Sequence, residues 1–262
     1  MRKKTYAEIT SEHVNVFSGN KQGSFALPIN DKTACKGRHV VLVANVKQTA
    51  IRVVDIYEKP TNGMFHALIQ HIKKSKPLES KWELVKSAFP IGEKMNENTH
   101  VFDGTVFTNE TGAKVFLITA LPVSIAEELA TTGASLFGNV HKISSLDTVE
   151  NMLFRIYATE KNTEPFWVVF PQGDGFRILF LVDGLPNAAW YASNNPEYRK
   201  GEILRFLQGH TYANNKNDKK ETALKRAVVL NTDLDVEWLY TLLAENGIEV
   251  VREDYCLSRF IS

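Results

Sequence analysis

Hydrophobic and polar residues alternate along much of the first 60 residues of the chain. Residues 6–9 and 13–17 alternate on either side of the polar Thr10-Ser11-Glu12, which predicts a β-hairpin. Further strands are predicted at 24–29, 39–44 and 51–57, the last ending before Pro60. The first quarter of the chain therefore predicts a β-meander.

Helical spacing replaces this alternation in residues 64–72, where apolar side chains recur on one helix face until Pro77 ends the predicted helix. A strand pair is predicted next, at 101–107 and 114–120. It leads into a predicted helix over 122–136, because the first turn of a helix accepts Pro122. This helix ends near Gly138.

Strands and helices alternate from residue 140 onward. Asp183-Gly184 predicts a hairpin turn, since these residues accept the positive φ angles of a primed turn. Gly247 predicts the C-terminal cap of a helix. The predicted strands are 140–143, 166–170, 176–182, 186–192, 226–230 and 248–251. The predicted helices are 145–159, 197–207 and 236–245, and the polar residues 214–220 predict a mobile loop.

The order of elements is similar in the two halves of the chain. In each half, several antiparallel strands come first and alternating strands and helices follow. The repeat is architectural and has no counterpart as a sequence repeat. It predicts an α/β fold with one half over residues 1–144 and another over residues 145–262.

The composition indicates a globular chain with balanced charge. Hydrophobic residues make up 44% of the 262 residues, enough for a sizeable core. The 31 basic and 30 acidic residues give a formal net charge of +1, so no bulk field attracts nucleic acid or an anionic membrane. The longest apolar runs cannot span a bilayer of about 30 Å, and acidic residues interrupt any signal peptide. We expect a soluble, cytoplasmic protein that reaches a membrane only through a partner.

Cysteines and histidines predict neither a disulfide nor a metal site. Cys35 and Cys256 lie far apart, without further metal ligands beside them, and are interpreted as buried, inert thiols. None of the seven histidines has helical metal-pair spacing; His66 and His71, five residues apart, fall on different helix faces. No nucleophile elbow is present, so no catalytic residue is predicted.

Glycine lies beside aspartate at two places that the pattern puts between strands, Asp103-Gly104-Thr105 and Gly173-Asp174-Gly175. Backbone NH groups of such a hairpin can bind phosphate, while a carboxylate holds its metal ion. A plain tight turn is the favoured alternative at both places. Gly173-Asp174-Gly175 is the better phosphate candidate, because it joins two strongly apolar strands. The aromatic residues of those strands alternate with valine and leucine, which predicts core packing and not base stacking.

This order of elements resembles the actin-like ATPase superfamily, whose members have two ribonuclease-H-like halves with mixed sheets flanked by helices. Within the superfamily the chain is similar to the PilM family of pilus-assembly proteins and to the cytoplasmic domain of the GspL family of type II secretion proteins. Four segments carry the resemblance: residues 6–17, 114–143, 145–186 and 227–251.

The chain departs from the nucleotide-binding pattern of this superfamily at three places. Where the first hairpin of these ATPases has an Asp-x-Gly turn for phosphate, this chain has Glu8-Ile9-Thr10-Ser11-Glu12, without glycine and with added negative charge. Pro171 and Gln172 replace the start of the second phosphate turn. Asn231-Thr232 replaces an adenosine-binding glycine pair. The resemblance therefore implies that the fold is kept and ATP binding is lost.

The resemblance implies a non-catalytic scaffold of a type IV pilus or type II secretion-like assembly, without a cofactor. Its expected partners are an inner-membrane assembly protein, bound on the cytoplasmic side, and a motor ATPase. An ATPase of the same fold is one alternative, in which Gly173, Asp174 and Gly175 hold the phosphates of ATP and Asp183 lies near magnesium. A small-molecule enzyme of another α/β class is a second alternative. A homo-oligomer is a further expectation.

Overall fold

The computed structural model describes residues 4–18, 21–29, 35, 39–56, 98–158, 164–213, 224–230 and 236–255. The strands in chain order are β1 (Thr5–Ile9), β2 (His13–Ser18), β3 (Lys21–Ala26), β4 (Val40–Ala44), β5 (Ala50–Ile56), β6 (His100–Thr108), β7 (Lys114–Pro122), β8 (Ile143–Thr148), β9 (Phe166–Gln172), β10 (Gly175–Val182), β11 (Leu185–Ser193), β12 (Arg226–Leu230) and β13 (Glu249–Glu253). The helices are α1 (Val123–Phe137), α2 (Val149–Tyr157), α3 (Arg199–Ala213) and α4 (Glu237–Glu245). The helix predicted near residues 64–72, the loop at 214–220 and Asn231-Thr232 lie outside the described residues.

The first lobe is built on a mixed five-stranded sheet in the order β3-β2-β1-β4-β8. β1, β2 and β3 pair antiparallel, as predicted for a meander. The meander prediction is wrong for β4, which pairs in parallel with β1, along the edge of β1 that faces away from β2. Every residue of β4 is buried, and a continuous apolar run of this kind suits a central parallel strand.

The second lobe repeats this topology in the order β11-β10-β9-β12-β13. Its first three strands pair antiparallel, and β12 and β13 run parallel to β9. The predicted architectural repeat is therefore confirmed, as are the two mixed sheets flanked by helices. The predicted division after residue 144 falls inside β8, which pairs with β4 in the first sheet. That division stays a prediction.

Along the chain, three further strands lie between β4 and β8 of the first lobe. They form a third, antiparallel sheet in the order β5-β7-β6, which we call the insertion sheet. Asp103-Gly104-Thr105 lies inside β6 and pairs with β7, which confirms the strand predicted at 101–107. The turn predicted at the same three residues is therefore wrong. A Cβ added to Gly104 would lie only 2.2 Å from Cζ of Phe116. This glycine therefore makes room for an aromatic ring on the neighbouring strand.

The helix ends follow local signals. α1 begins directly after Pro122 and ends at Gly138, whose φ of 76° is left-handed, as the sequence predicts. The predicted helix over 145–159 begins too early, because Ile143–Thr148 extends the first sheet as β8. The Thr148 hydroxyl accepts a hydrogen bond from the backbone NH of Asn151 and so caps the N-terminus of α2.

The main core lies between the two sheets and joins both lobes. Val43 of the first sheet, Leu153 of α2 and Val168 of the second sheet belong to one cluster of buried side chains. α1 covers the opposite face of the first sheet, and α3 and α4 cover that of the second. The prediction that the aromatic residues of β9 and β10 pack in the core is confirmed. Each of them is at most 1% exposed: Phe166, Trp167, Phe170, Phe176 and Phe180. No helix within the described ranges is long and apolar enough to cross a membrane.

Candidate functional site

The carboxyl ends of β1 and β4 meet the end of β9 and the β9–β10 hairpin where the two lobes face each other. We call this region the interlobe seam. It consists of Glu8, Asn45, Lys47, Thr49, Glu150, Gln172, Asp174, Arg177, Tyr191 and Tyr255. In open α/β sheets, ligands bind in the crevice outside the carboxyl ends of parallel strands, so the seam is the first place to examine for a site.

Glu8 is a buried carboxylate at the first-lobe side of the seam, only 1% exposed. Its oxygens accept hydrogen bonds from Asn45 Nδ2 at 2.8 Å and Asn15 Nδ2 at 3.3 Å. The Tyr255 hydroxyl, which comes from the second lobe, also donates to it. Burial raises the pKa of Glu8, while these hydrogen bonds oppose the rise. The carboxylate is thus held by neutral donors of the chain itself.

A second buried group ties α2 to the second lobe. Arg177 on β10 and Glu150 in the first turn of α2 form an ion pair, with Nε and Oε1 3.1 Å apart. Gln172 joins them, accepting from Arg177 Nε at 2.8 Å and donating to Glu150 Oε1 at 2.9 Å. Burial raises the pKa of Glu150, and the nearby guanidinium of Arg177 works against that rise.

Arg177 also crosses to the first lobe. Its Nη2 donates to the carbonyl oxygen of Lys47 at 3.2 Å and to that of Thr49 at 3.1 Å. Burial lowers the pKa of Arg177, and the carboxylate of Glu150 counteracts this effect. The guanidinium of Arg177 therefore contacts oxygen atoms of α2, of β9 and of the first-lobe segment that contains Lys47 and Thr49.

Gly173 and Asp174 form the two-residue turn between β9 and β10, where Gln172 pairs with Gly175. Gly173 has a left-handed φ of 59°, as the predicted tight turn requires. A Cβ on Gly175 would lie 2.3 Å from the carbonyl oxygen of Ala192, so close strand packing requires this glycine.

The Asp174 carboxylate faces the first lobe and is engaged by other side chains. Its Oδ1 accepts from the Tyr191 hydroxyl at 2.5 Å and from Lys47 Nζ at 3.2 Å. The hydrogen bond from Tyr191 lowers the pKa of Asp174, with Lys47 adding to the effect. Burial and the bond to Asp174 raise the pKa of Tyr191.

Asp183 lies at the opposite end of β10 from this turn. At about 3.3 Å per residue, the eight residues Gly175–Val182 separate the two ends by roughly 25 Å. Asp183 and Gly184 both have positive φ, which confirms the predicted primed turn. The structure therefore brings Gly173, Asp174 and Gly175 together but does not bring Asp183 to them.

The first hairpin turn is closed by its own side chain. The Thr10 hydroxyl accepts hydrogen bonds from the backbone NH groups of Glu12 and His13, at 3.2 and 2.9 Å. A phosphate-binding turn would leave such NH groups available. Among the described residues, no group of three or more His, Cys, Asp or Glu side chains could hold a metal ion. Cys35 is a half-buried free thiol, and Cys256 lies outside the described residues.

A polar groove lies beside the first lobe, between β8, α2 and the insertion sheet. Its volume is about 320 Å³, and its lining includes Tyr6, Asp103, Ser145, Asp147 and Arg155. β8 is an edge strand of the first sheet, and Ser145 on it is exposed. Arg155 and Asp147 form an ion pair of 2.9 Å across part of the groove.

Sequence reasoning missed Glu150, Arg177 and Tyr255. Arg177 had a visible signal, because it is a charged residue within the apolar run of β10. Glu150 and Tyr255 had none, since their partners lie far away along the chain.

No family model matches the sequence, and no curated protein sequence matches it either. Solved structures do match the fold. A Bacteroides thetaiotaomicron protein with an actin-like ATPase fold has a TM-score of 0.57 at 10% identity, over 99% of this chain and 94% of that one.

Two further similar structures come from pilus and secretion machines. The PilM–PilN type IV pilus biogenesis complex matches with a TM-score of 0.58 at 12% identity, over 96% of this chain and 88% of that one. The cytoplasmic domain of EpsL, an inner-membrane component of the type II secretion system of Vibrio cholerae, matches with a TM-score of 0.50 at 10% identity, over 99% and 92%. Together with the repeated five-stranded topology, these likenesses show that the chain has the actin-like ATPase fold.

Proposed function

We propose that this protein is a non-catalytic actin-fold scaffold in a type IV pilus or type II secretion-like assembly. On this proposal it works on the cytoplasmic side and binds an inner-membrane assembly protein, with a motor ATPase as a further partner. The likenesses to the PilM–PilN complex and to the EpsL cytoplasmic domain support the kind of assembly.

The observation that carries the proposal is that the carboxylates of Glu8 and Asp174 in the interlobe seam are already held by the chain's own side chains. A nucleotide bound there would need free backbone NH groups and a place for negative charge. Instead, the Thr10 hydroxyl caps the first turn, and Glu8 adds a buried carboxylate. Asp174 accepts hydrogen bonds from Lys47 and Tyr191. A ligand that bound Asp174 would have to break these two bonds, and this would weaken its binding.

The polar groove beside β8 is our candidate site for the partner. An edge strand offers backbone groups to an extended segment, and strand addition is a common mode of peptide recognition. The side chains of Asp103, Asp147 and Arg155 can select that segment by polar contacts. We therefore expect an extended stretch of the inner-membrane protein to lie along β8.

Capture of membrane components tests the scaffold. The purified protein should retain an inner-membrane assembly protein from solubilised membranes, and Ser145→Arg should abolish this by filling the groove. Thr131→Arg, on the exposed face of α1, is the matched control and should retain the partner. Equal capture by the two variants would contradict a partner site at β8.

Calorimetry with ATP and magnesium tests the loss of nucleotide binding. We expect no heat of binding at millimolar ATP, which would leave the scaffold without a cofactor. Magnesium-dependent heat with a dissociation constant below about 0.1 mM, or some −5.5 kcal/mol, would favour the alternative, an ATPase that holds phosphate at Gly173, Asp174 and Gly175. Asp174→Asn then separates the cases, because it should weaken that heat only if this turn binds the nucleotide.

A further inference from the structure

The chain crosses back from the second lobe to the first directly after β13. β13 is an edge strand of the second sheet, and residues 254 and 255 continue from its end. Tyr255 contacts both lobes there. Its ring stacks on Phe170 of β9, with centroids 6.4 Å apart and planes 5° apart, while its hydroxyl donates to Glu8 of β1.

A second contact fixes the same segment to α2. Glu253, the last residue of β13, accepts a hydrogen bond from the Tyr157 hydroxyl at 3.0 Å. Tyr157 is buried in the core that joins the lobes. Residues 253–255 therefore touch the first sheet, α2 and the second sheet within three positions.

We propose that residues 253–255, which we call the latch, close the interlobe seam by occupying it. Tyr255 takes the place where a ligand of this type of crevice would lie, at the carboxyl ends of β1 and β9. It supplies a flat ring to Phe170 and a hydrogen-bond donor to the buried carboxylate of Glu8. Release of the latch exposes both groups and opens the seam locally, while the core that joins the lobes stays packed. This inference is independent of the proposed function, since it concerns only contacts within the chain.

The chemistry of the contact makes the latch reversible. The hydroxyl of Tyr255 meets a carboxylate that also has two asparagine donors, so Glu8 keeps partners when the latch leaves. The ring contact with Phe170 and the hydrogen bond to Glu8 each add only modestly to the burial of Tyr255. Contacts of this size hold a segment most of the time and still allow it to open.

Hydrogen–deuterium exchange of the full chain tests the latch. In Tyr255→Ala, amides of residues 45–49 and 172–175, on opposite sides of the seam, should exchange about tenfold faster. Tyr255→Phe keeps the ring and loses the donor, so it should give a smaller increase at the same amides. Glu8→Gln should raise exchange there too, and combining it with Tyr255→Phe should add little.

The control is Tyr240→Phe on α4, a tyrosine whose ring lies 3.8 Å from the Arg252 guanidinium and away from the seam. It should leave exchange at 45–49 and 172–175 unchanged. The proposal is overturned if Tyr255→Ala speeds exchange only within residues 249–255, because the segment would then be a passive end of β13. Unchanged exchange on both sides of the seam in Tyr255→Ala would overturn it equally.

Discussion

Arg177 and Glu150 form the most deeply buried charged contact described in this fold, with side chains 6% and 0% exposed. A buried ion pair is a weak source of net stability, because desolvation offsets most of the attraction. The cost appears when one partner is removed and the other charge stays buried. Glu150 Oε2 already lacks a hydrogen-bond partner, so little remains to compensate a lost guanidinium.

We therefore expect Arg177→Met to destabilise the protein by about 3–5 kcal/mol, as measured by urea unfolding. The double variant Arg177→Met/Glu150→Met should recover most of this loss, because it removes both charges and fills the space with apolar atoms. The control Arg155→Met breaks a half-exposed pair with Asp147 and should cost at most about 1 kcal/mol. A double variant no more stable than Arg177→Met would show that the stability comes from the arginine's bonds to Lys47 and Thr49.

How far the sequence predicts the site depends on the range of each contact. The Gly173-Asp174-Gly175 turn was predictable, because a turn between two apolar strands is a local signal. The bond from Tyr255 to Glu8 was not, since the two residues are 247 positions apart and only the fold brings them together. Asp183 is the converse case: its turn is a local signal and is predictable, whereas the ATPase alternative needs it near a turn that lies at the other end of β10.

At the scale of elements, the strand patterns were predictable and their neighbours were not. Residues 40–44 indicate a strand whether they pair parallel or antiparallel, and only the crossover to β1 decides between the two. The turn predicted at Gly104 is wrong for a related reason. Glycine beside aspartate usually marks a turn, but here Phe116 on the partner strand requires the missing side chain.

Gly104→Val should consequently destabilise the protein by about 1–3 kcal/mol, because the new side chain would clash with the Phe116 ring. Thermal unfolding followed by circular dichroism measures the effect. Gly104→Val/Phe116→Leu should recover part of the loss by making room for valine. The control Gly201→Ala places its Cβ in open space on α3 and should gain about 0.5–1 kcal/mol. A neutral Gly104→Val would mean that Phe116 moves aside without cost.

For the whole molecule, the repeated order of elements predicted two lobes, and the structure adds that the lobes share one core. Phe17 and Val43 from the first sheet belong to the same buried cluster as Phe166 and Val168 from the second. Sequence periodicity identifies which residues are buried but not which sheet covers them. The shared core could be recognised only once both sheets and α2 were in place.

A shared core has a thermodynamic consequence that two independent lobes would not have. We expect calorimetry to show one unfolding transition, because neither sheet can lose its inner face without exposing that of the other. Val43→Ala in the first lobe and Val168→Ala in the second should each lower that same transition, by about 2–3 kcal/mol of unfolding free energy. Fluorescence of the buried Trp167 in the second lobe should report the Val43→Ala shift as fully as circular dichroism does. If Val43→Ala instead split the transition and left the Trp167 signal at its original midpoint, the lobes would be separate folding units and the seam a contact between them.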